Sequence, residues 1–443
     1  MRDAIYHLLK ALDVRSVRFV TSGTSNVIRG KAVTIESLTD VWEGGVGFTQ
    51  ALQALPVMYD AVVAESGLGP VGEAYLVADW ATLRPLPYVP GHARVFGDFH
   101  VGGEPWAYCA RSFLKRVLAD AERAGVALRA GYEYEFIVLK GRDPLQAIDD
   151  TVFAATQGAD LGAELIDDIN EALEMQGVHV EQHYAESAPG QYELAVAPAD
   201  PLVAADANLI VRETVRALAR QHGLVASFLP KIFESTAGNG CHLNLSLTRG
   251  GVNAMADPGR PHGLSEAAEA FMAGVLEHLP ALMGVTIASA NSYNRIRPHF
   301  WSGAFRAWGK DNREAALRLP TGRHGHGPSH FELKANDITA NPYLALGAVI
   351  AAGLDGLSRG LTLPAPVQGD PGLLSDDERK TLGIEALPTD LEEALRRLER
   401  NEVLAGTFGA EALRAYLAVK RNEWQATKGM TLEEQVSLLL ERY

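Results

Sequence analysis

Five glutamates and one histidine in this sequence sit where strand alternation puts them on the polar side of otherwise apolar runs. In GYEYEFIVL, Gly131 to Leu139, Glu133, Glu135 and Ile137 share one face while Tyr132, Tyr134, Phe136 and Val138 share the other. Two neighbouring carboxylates repel, and hiding either alone costs several kcal/mol. The stretch is therefore either a solvated edge strand or one wall of a cation site. In ESAPGQYELAV, Glu193 stands between Tyr192 and Leu194, with Glu186 before it across an Ala-Pro-Gly turn. In GNGCHLNLSL, His242, Asn244 and Ser246 face one way and Cys241, Leu243, Leu245 and Leu247 the other. In HFELKAN, Glu332 shares a face with His330 and Lys334. Four polar, mostly acidic stripes on apolar backs are hard to account for as four solvated edges. If the faces converge in a curved sheet, they line one cavity suited to a hard cation, Mg²⁺ or Mn²⁺. That many carboxylates implies two or three ions, a number that suits holding a nucleoside triphosphate and neutralising a transferring phosphoryl group.

An anion-handling stretch follows between Asn291 and Pro320. It holds Arg295, Arg297, Arg306, Arg313 and Arg318, interleaved with Trp301 and Trp308. Snorkelling over apolar surface explains any one of these arginines better than it explains the cluster. Guanidinium forks grip carboxylate and phosphate bidentately, so the stretch suits clamping a substrate carboxylate and a γ-phosphate. His324 and His326, in GRHGHGP, read as part of a solvated loop at the site mouth and not as metal ligands.

These side chains need a large body to position them. The chain has 443 residues, is 47% hydrophobic and carries a formal net charge of −15, which argues against nucleic acid or an anionic membrane surface as a partner. No apolar run reaches the ~20 residues of a bilayer span. Two distant cysteines in apolar settings, Cys109 and Cys241, fit a reducing compartment, and with the polar N-terminal stretch they point to the cytoplasm. Residues 1–104 alternate short strand-like runs, such as Ser16–Thr21 and Ala74–Ala78, with Gly- and Pro-rich turns. From 105 to 443 the period lengthens, with helical spacing over Trp106–Arg123, Leu161–Gln176, Leu202–His222 and Leu264–Met283. Asn341-Pro342 reads as an N-cap and first turn, and Thr389 with Glu392 and Thr431 with Glu434 as capping boxes. The expected class is α+β, a small module followed by a larger body with a curved antiparallel sheet.

The motifs carry a resemblance. GYEYEF, GNGCHLNLSL, NSYNR and ELKANDITANPYLALGAVIAAGLDGL together resemble the glutamine synthetase family, in its bacterial type I-like branch, from about Val41 to Gly360. The resemblance implies an N-terminal β-grasp domain, a catalytic domain and a homo-oligomer of stacked hexameric rings with sites between subunits. It also implies the chemistry: ATP phosphorylates the γ-carboxylate of glutamate, and an amine attacks the acyl phosphate. By position it assigns Glu135, Glu186 and Glu193 to one metal ion and Glu133, His242 and Glu332 to another. It assigns Arg295 and Gly238 to glutamate, Ser246 to the nucleotide, and Arg313 and Arg318 to the phosphoryl groups. His330 and Lys334 stand where the family has arginines near the nucleotide and the γ-carboxylate; Lys334 keeps the charge but not the fork.

Two departures concern the amine. Where ammonia-using members have an aspartate in F-D-G-S, this chain reads GVGFTQALQALP, with Thr49 in its place. Where they have a flap glutamate after N-S-Y-K-R, PHFWSG places Trp301. An ammonium ion needs acidic partners to bind and to lose its proton, so a pocket without them suits a larger organic amine, held by apolar contact or by cation–π attraction to Trp301. The expected activity is an ATP-dependent glutamate–amine ligase. An ammonia-using glutamine synthetase and a non-catalytic regulatory member are the alternatives.

Overall fold

The computed structural model describes residues 2–322 and 327–443, so the loop around His324 and His326 lies outside the described residues. Helix α1 (Arg2–Ala11) leads into strands β1 (Ser16–Ser22), β2 (Ile28–Thr34), β3 (Val46–Thr49), β4 (Glu73–Ala78) and β5 (His92–Val101). They pair in the order β2-β1-β5-β4-β3, with β1 and β5 parallel and the other pairs antiparallel. Phe19, Leu38, Leu76, Val95 and Phe99 fill the core of this sheet, and Trp42 stacks on Trp80 at 3.8 Å between ring centroids.

Helix α2 (Ala110–Arg123) ties the two parts of the chain together. Its buried Arg111 reaches Asp79 at 2.9 Å and Asp98 at 3.2 Å in the N-terminal part, and Asp206 at 3.0 Å in helix α4 (Pro201–Gln221). An arginine with so little exposure is tolerated only when its charge and its donors are both matched.

The larger body is built on β6 (Ala127–Arg142), β7 (Val180–Ala185), β8 (Gln191–Val196), β9 (Cys241–Arg249), β10 (Trp308–Lys310), β11 (Leu317–Leu319) and β12 (Phe331–Leu333), paired in the order β7-β8-β6-β9-β12-β11-β10. Every pair along this path is antiparallel, as expected, except the last: β10 and β11 run parallel, joined by residues 311–316, which begin at Asp311 with φ +49°. Strand β6 lies inside the sheet between β8 and β9, so its two glutamates are not on an edge. Its other face, Tyr132, Tyr134, Phe136 and Val138, is buried in the main core with α3 (Thr156–Met175) and α4. Helix α5 (Glu266–Thr286) and helix α6 (Pro342–Arg359) pack against each other behind β9 and β12.

The expected helices are present with shifted ends. Helix α3 begins at Thr156, ahead of the expected Leu161, because its first turn, TQGAD, carries no apolar period to read. Helix α6 begins as expected, Asn341 accepting from the backbone of Tyr343 and Leu344 with Pro342 in the first turn. The Thr431 capping box forms with Glu434. The one at Thr389 does not: Asp390, one residue on, is the N-cap and accepts from Glu393 N at 2.8 Å. A carboxylate competes well for that place beside a helix N-terminus.

Candidate active site

The strand register assembles the site. Residues directly opposite on neighbouring strands share a face. Tyr184 is opposite Glu193, Glu193 opposite Glu135, Glu133 opposite His242, Asn244 opposite Glu332, and Glu332 opposite Arg318. A polar row thus crosses six strands of one sheet.

Its centre is His242. Nδ1 lies 3.1 Å from Glu133 Oε2 and 3.2 Å from Glu332 Oε1, and Nε2 lies 3.7 Å from Glu135 Oε1. One ligand atom from each of Glu133, His242 and Glu332 falls within 4.8 Å of the others. Two carboxylates and an imidazole at that spacing fit a hard divalent cation, as the chemistry of the donors requires. Burial opposes the charge on Glu332, but Lys334, His242 and Arg318 outweigh it and hold its carboxyl well below the usual range. Burial and Lys334 push His242 down, yet its bonds to Glu133 and Glu332 and the charge of Glu135 raise it to about 9.

The second expected set is looser. Glu193 faces Glu135 across the β6–β8 ladder, and both are buried. Glu135 Oε2 accepts from Gly240 N at 2.8 Å and from Gln191 Nε2 at 3.0 Å. Glu186 accepts from the backbone and hydroxyl of Ser187. The ligand atoms of Glu135, Glu186 and Glu193 do not gather within 4.8 Å as the first set does. Burial, with the charge of Glu135, raises the carboxyl of Glu186; burial, with Glu133 and Glu135, raises that of Glu193 well above its ordinary value. Carboxylates crowded in this way are what a bound cation relieves.

The other expected residues divide between those the sheet brings to this row and those it does not. Arg295 is buried; its Nη2 donates to the carbonyls of Lys334 and Asn336, and its Nε has no protein partner. Gly238 packs on it: a Cβ there would meet Arg295 Cγ at 2.9 Å and Pro230 O at 2.2 Å. Ser246 and His330 line a cavity of about 410 Å³ with Glu133, Asn244, Asn253 and Ser329. Arg318 and Lys334 both bind Glu332, the lysine at 3.0 Å, so Lys334 serves a metal-set carboxylate and does not stand open toward a ligand. Arg313 is exposed beside Asp311, on the turn entering β11, and does not line that cavity. Trp301 is half exposed, at φ +52°, with its backbone held by Glu314 at 3.0 Å, and it meets Phe153, whose ring meets Tyr184 opposite Glu193, which sets it at the mouth of the row. Thr49 lies elsewhere: it ends β3, opposite Glu73, and caps a 3₁₀ turn by accepting from Ala51 N.

Three residues in this site went unassigned from sequence. Gln191 joins Glu135, the carbonyl of Gly238 and Asn239 Oδ1, each within 3.1 Å. Gly240 gives its N–H to Glu135, and Asn244 donates to Glu133 Oε1 at 3.1 Å. Asn244 is visible in sequence as a polar residue on the His242 face. Gln191 and Gly240 act through partners distant in the chain, which no local pattern shows.

The chain is similar to known proteins in both sequence and fold. The family model described as the glutamine synthetase catalytic domain matches residues 107–437, and that for the glutamine synthetase N-terminal domain matches residues 4–106. A protein of Streptomyces coelicolor named gamma-glutamylpolyamine synthetase GlnA3 is 38% identical over 92% of this chain and 89% of its own. A structure described as a novel glutamine synthase homolog superposes with a TM-score of 0.86 at 32% identity, covering 97% of this chain and 99% of that one. An ADP complex of GmaS superposes with a TM-score of 0.85 at 28% identity, covering 98% and 99%.

Proposed function

The chain belongs to the glutamine synthetase family and is an ATP-dependent ligase, and from that premise we propose that it joins the γ-carboxyl of glutamate to an organic amine in preference to ammonia. The observation that carries this reading is Trp301, an exposed indole fixed at the mouth of the carboxylate row where the resemblance leads one to expect an acid. The name of the Streptomyces relative, a gamma-glutamylpolyamine synthetase, supports the same substrate class.

The row divides the work. Glu133, His242 and Glu332 would hold one Mg²⁺ or Mn²⁺, and Glu135, Glu186 and Glu193 a second. When bound, these ions neutralise charge on the phosphates and the γ-carboxylate. Arg295, packed on Gly238, takes the α-carboxylate of glutamate in a fork. Ser246 and His330 contact the nucleotide from the 410 Å³ cavity, and the similarity to a structure described as a GmaS/ADP complex supports nucleotide binding. The resemblance gives the phosphoryl groups to Arg318, whose Nε also holds Glu332, and to Arg313, on the exposed turn outside the cavity. The γ-carboxylate attacks the terminal phosphorus of ATP, releasing ADP; the amine then attacks the acyl carbon, sheds a proton and displaces phosphate. Trp301 and Thr49 leave the amine pocket without the acids that would favour ammonium. Thr49 reaches such a pocket only from another copy, so the active species is a closed ring in which residues 1–104 of one subunit complete the site formed by 105–443 of the next.

An ADP-release assay with ATP, Mg²⁺, glutamate and a panel of amines tests the reading. At least one organic amine should exceed ammonia in kcat/KM by about tenfold, equivalent to ~1.4 kcal/mol of transition-state binding. Faster ADP release with millimolar ammonia than with every amine would overturn it.

A further inference from the structure

The part of an organic amine that does not react needs a place to lie. Between the carboxylates and solvent stands a wall of three aromatic rings. Phe153 meets Trp301 edge-to-face at 5.9 Å between centroids and 79°, and meets Tyr184 at 6.0 Å and 88°. Tyr184 is paired across the β7–β8 ladder with Glu193, so the inner end of the wall touches the acidic row. Phe153 is 46% exposed and Trp301 47%, with Val152 beside them at 75%.

Both sides of the wall are held rigidly. Asp149 accepts from the backbone and hydroxyl of Thr151 and from the Tyr192 hydroxyl at 3.2 Å, and Ala154, at φ +56°, donates to Ala185 O at 2.9 Å. That last bond fixes Phe153 beside Tyr184. On the other side, Glu314 holds Trp301 N, and Ser302 Oγ bridges the N–H and carbonyl of Arg297. Exposed aromatic rings that the backbone holds in place make a preformed surface, which binds without the cost of ordering.

We propose that Phe153, with the open faces of Trp301 and Tyr184 beside it, forms a subsite for the far end of the amine and selects long alkyl amines that carry a second ammonium group. The proposal rests on the amine-ligase reading. Among the described residues, one carboxylate stands outside the metal sets here: Glu314, behind Trp301, while Glu193 and Glu186 at the inner end belong to the proposed metal ion. Ring faces attract cations, and the Glu314 carboxylate behind Trp301 disfavours a carboxylate or phosphate tail. Among the described residues, the cation at this mouth that sits on a ring, Lys231, lies over Phe300 at 5.2 Å and not over the three rings of the wall. A neutral alkyl tail would gain only buried area here, whereas a charged one gains the ring faces as well.

The test compares the wild-type protein with Phe153→Ala and Phe153→Tyr, using 1,4-diaminobutane, n-butylamine and ammonia as acceptors at saturating ATP, Mg²⁺ and glutamate. In the wild type the diamine should have a higher kcat/KM than n-butylamine. In Phe153→Ala the ratio of kcat/KM for diamine over ammonia should fall about tenfold, chiefly through KM, with the oligomer unchanged by light scattering. Phe153→Tyr should restore that ratio to within about threefold of wild type, since the ring face is kept. A ratio unchanged in Phe153→Ala, an n-butylamine preference in the wild type, or loss of the oligomer in Phe153→Ala would each overturn the subsite while leaving the amine ligase standing. A wild type that uses ammonia alone would overturn both.

Discussion

Glu332 takes more positive charge than any other carboxylate in the row. It accepts from Lys334 Nζ at 3.0 Å and from Arg318, and it lies 3.2 Å from His242 Nδ1, all with 1% of its surface exposed. Such a carboxylate is stable only while its counter-charges stay, because removing one leaves buried charge uncompensated. Lys334→Met should therefore lower stability by about 2–3 kcal/mol in metal-free protein, the lower side of the usual cost because Arg318 remains. A divalent ion at Glu133, His242 and Glu332 supplies the missing charge, so Mn²⁺ should recover more thermal stability in the variant than it adds to the wild type. Equal Mn²⁺ shifts in both proteins, read by differential scanning fluorimetry, would count against Lys334 as counter-charge to a metal ligand. Much of this was legible in the sequence, since alternation alone puts Glu332 and Lys334 on one face. Whether the lysine faces the ligand or the carboxylate beside it depends on β11 closing the other side with Arg318, a contact that no spacing within HFELKAN records.

At the scale of elements, the site depends on loops that join the two sheets. Asn341 caps α6 through its oxygen, while its Nδ2 donates to Gly23 O at 2.9 Å and Ser22 O at 3.3 Å at the end of β1. Asn26, at φ +56°, returns the contact with Nδ2 bonds to Ile338 O at 2.8 Å and Ala340 O at 2.6 Å. Asn341→Ala loses a cap worth about 1 kcal/mol and strands buried carbonyls, for a total of about 2–3 kcal/mol. The thermal midpoint should fall by several degrees, and Asn341→Asp, which keeps the cap but not the donor, should fall in between. A midpoint in Asn341→Ala equal to wild type would mean that the Asn341 contacts add nothing measurable to the other bonds that join the two sheets, among them those of Asn26 and Arg111. The helix start at Asn341-Pro342 is readable because cap and proline are adjacent in the chain. The second half of Asn341's work is not, because its partners lie more than three hundred residues away. The same division runs through the site: strand faces follow from alternation, but the register that sets Glu133 against His242 and Glu193 against Glu135 is decided by packing across the sheet.

For the whole molecule, what matters is where Thr49 acts. Its partners within the chain, Glu73 across the ladder and Ala51 in the following turn, all belong to the N-terminal sheet, while the carboxylate row lies on the other sheet. In the proposed ring, a residue so placed would meet the carboxylate row of a neighbouring copy. The arrangement is open to a complementation test. Thr49→Arg should block the pocket of the next subunit with a bulky cation, and Glu135→Ala should disable a subunit's own carboxylate row, so each variant alone should be inactive. In oligomers co-expressed from both, the Thr49→Arg subunit contributes an intact carboxylate row and the Glu135→Ala subunit an intact Thr49. Random mixing then rebuilds about a quarter of the sites, and ADP release with amine should return to about that fraction of wild type. Activity that stays absent in verified mixed oligomers, with both variants folded, places Thr49 outside the site. Activity in Thr49→Arg alone removes the basis for reading the amine pocket from the N-terminal sheet and leaves Trp301 and the aromatic wall to account for amine choice.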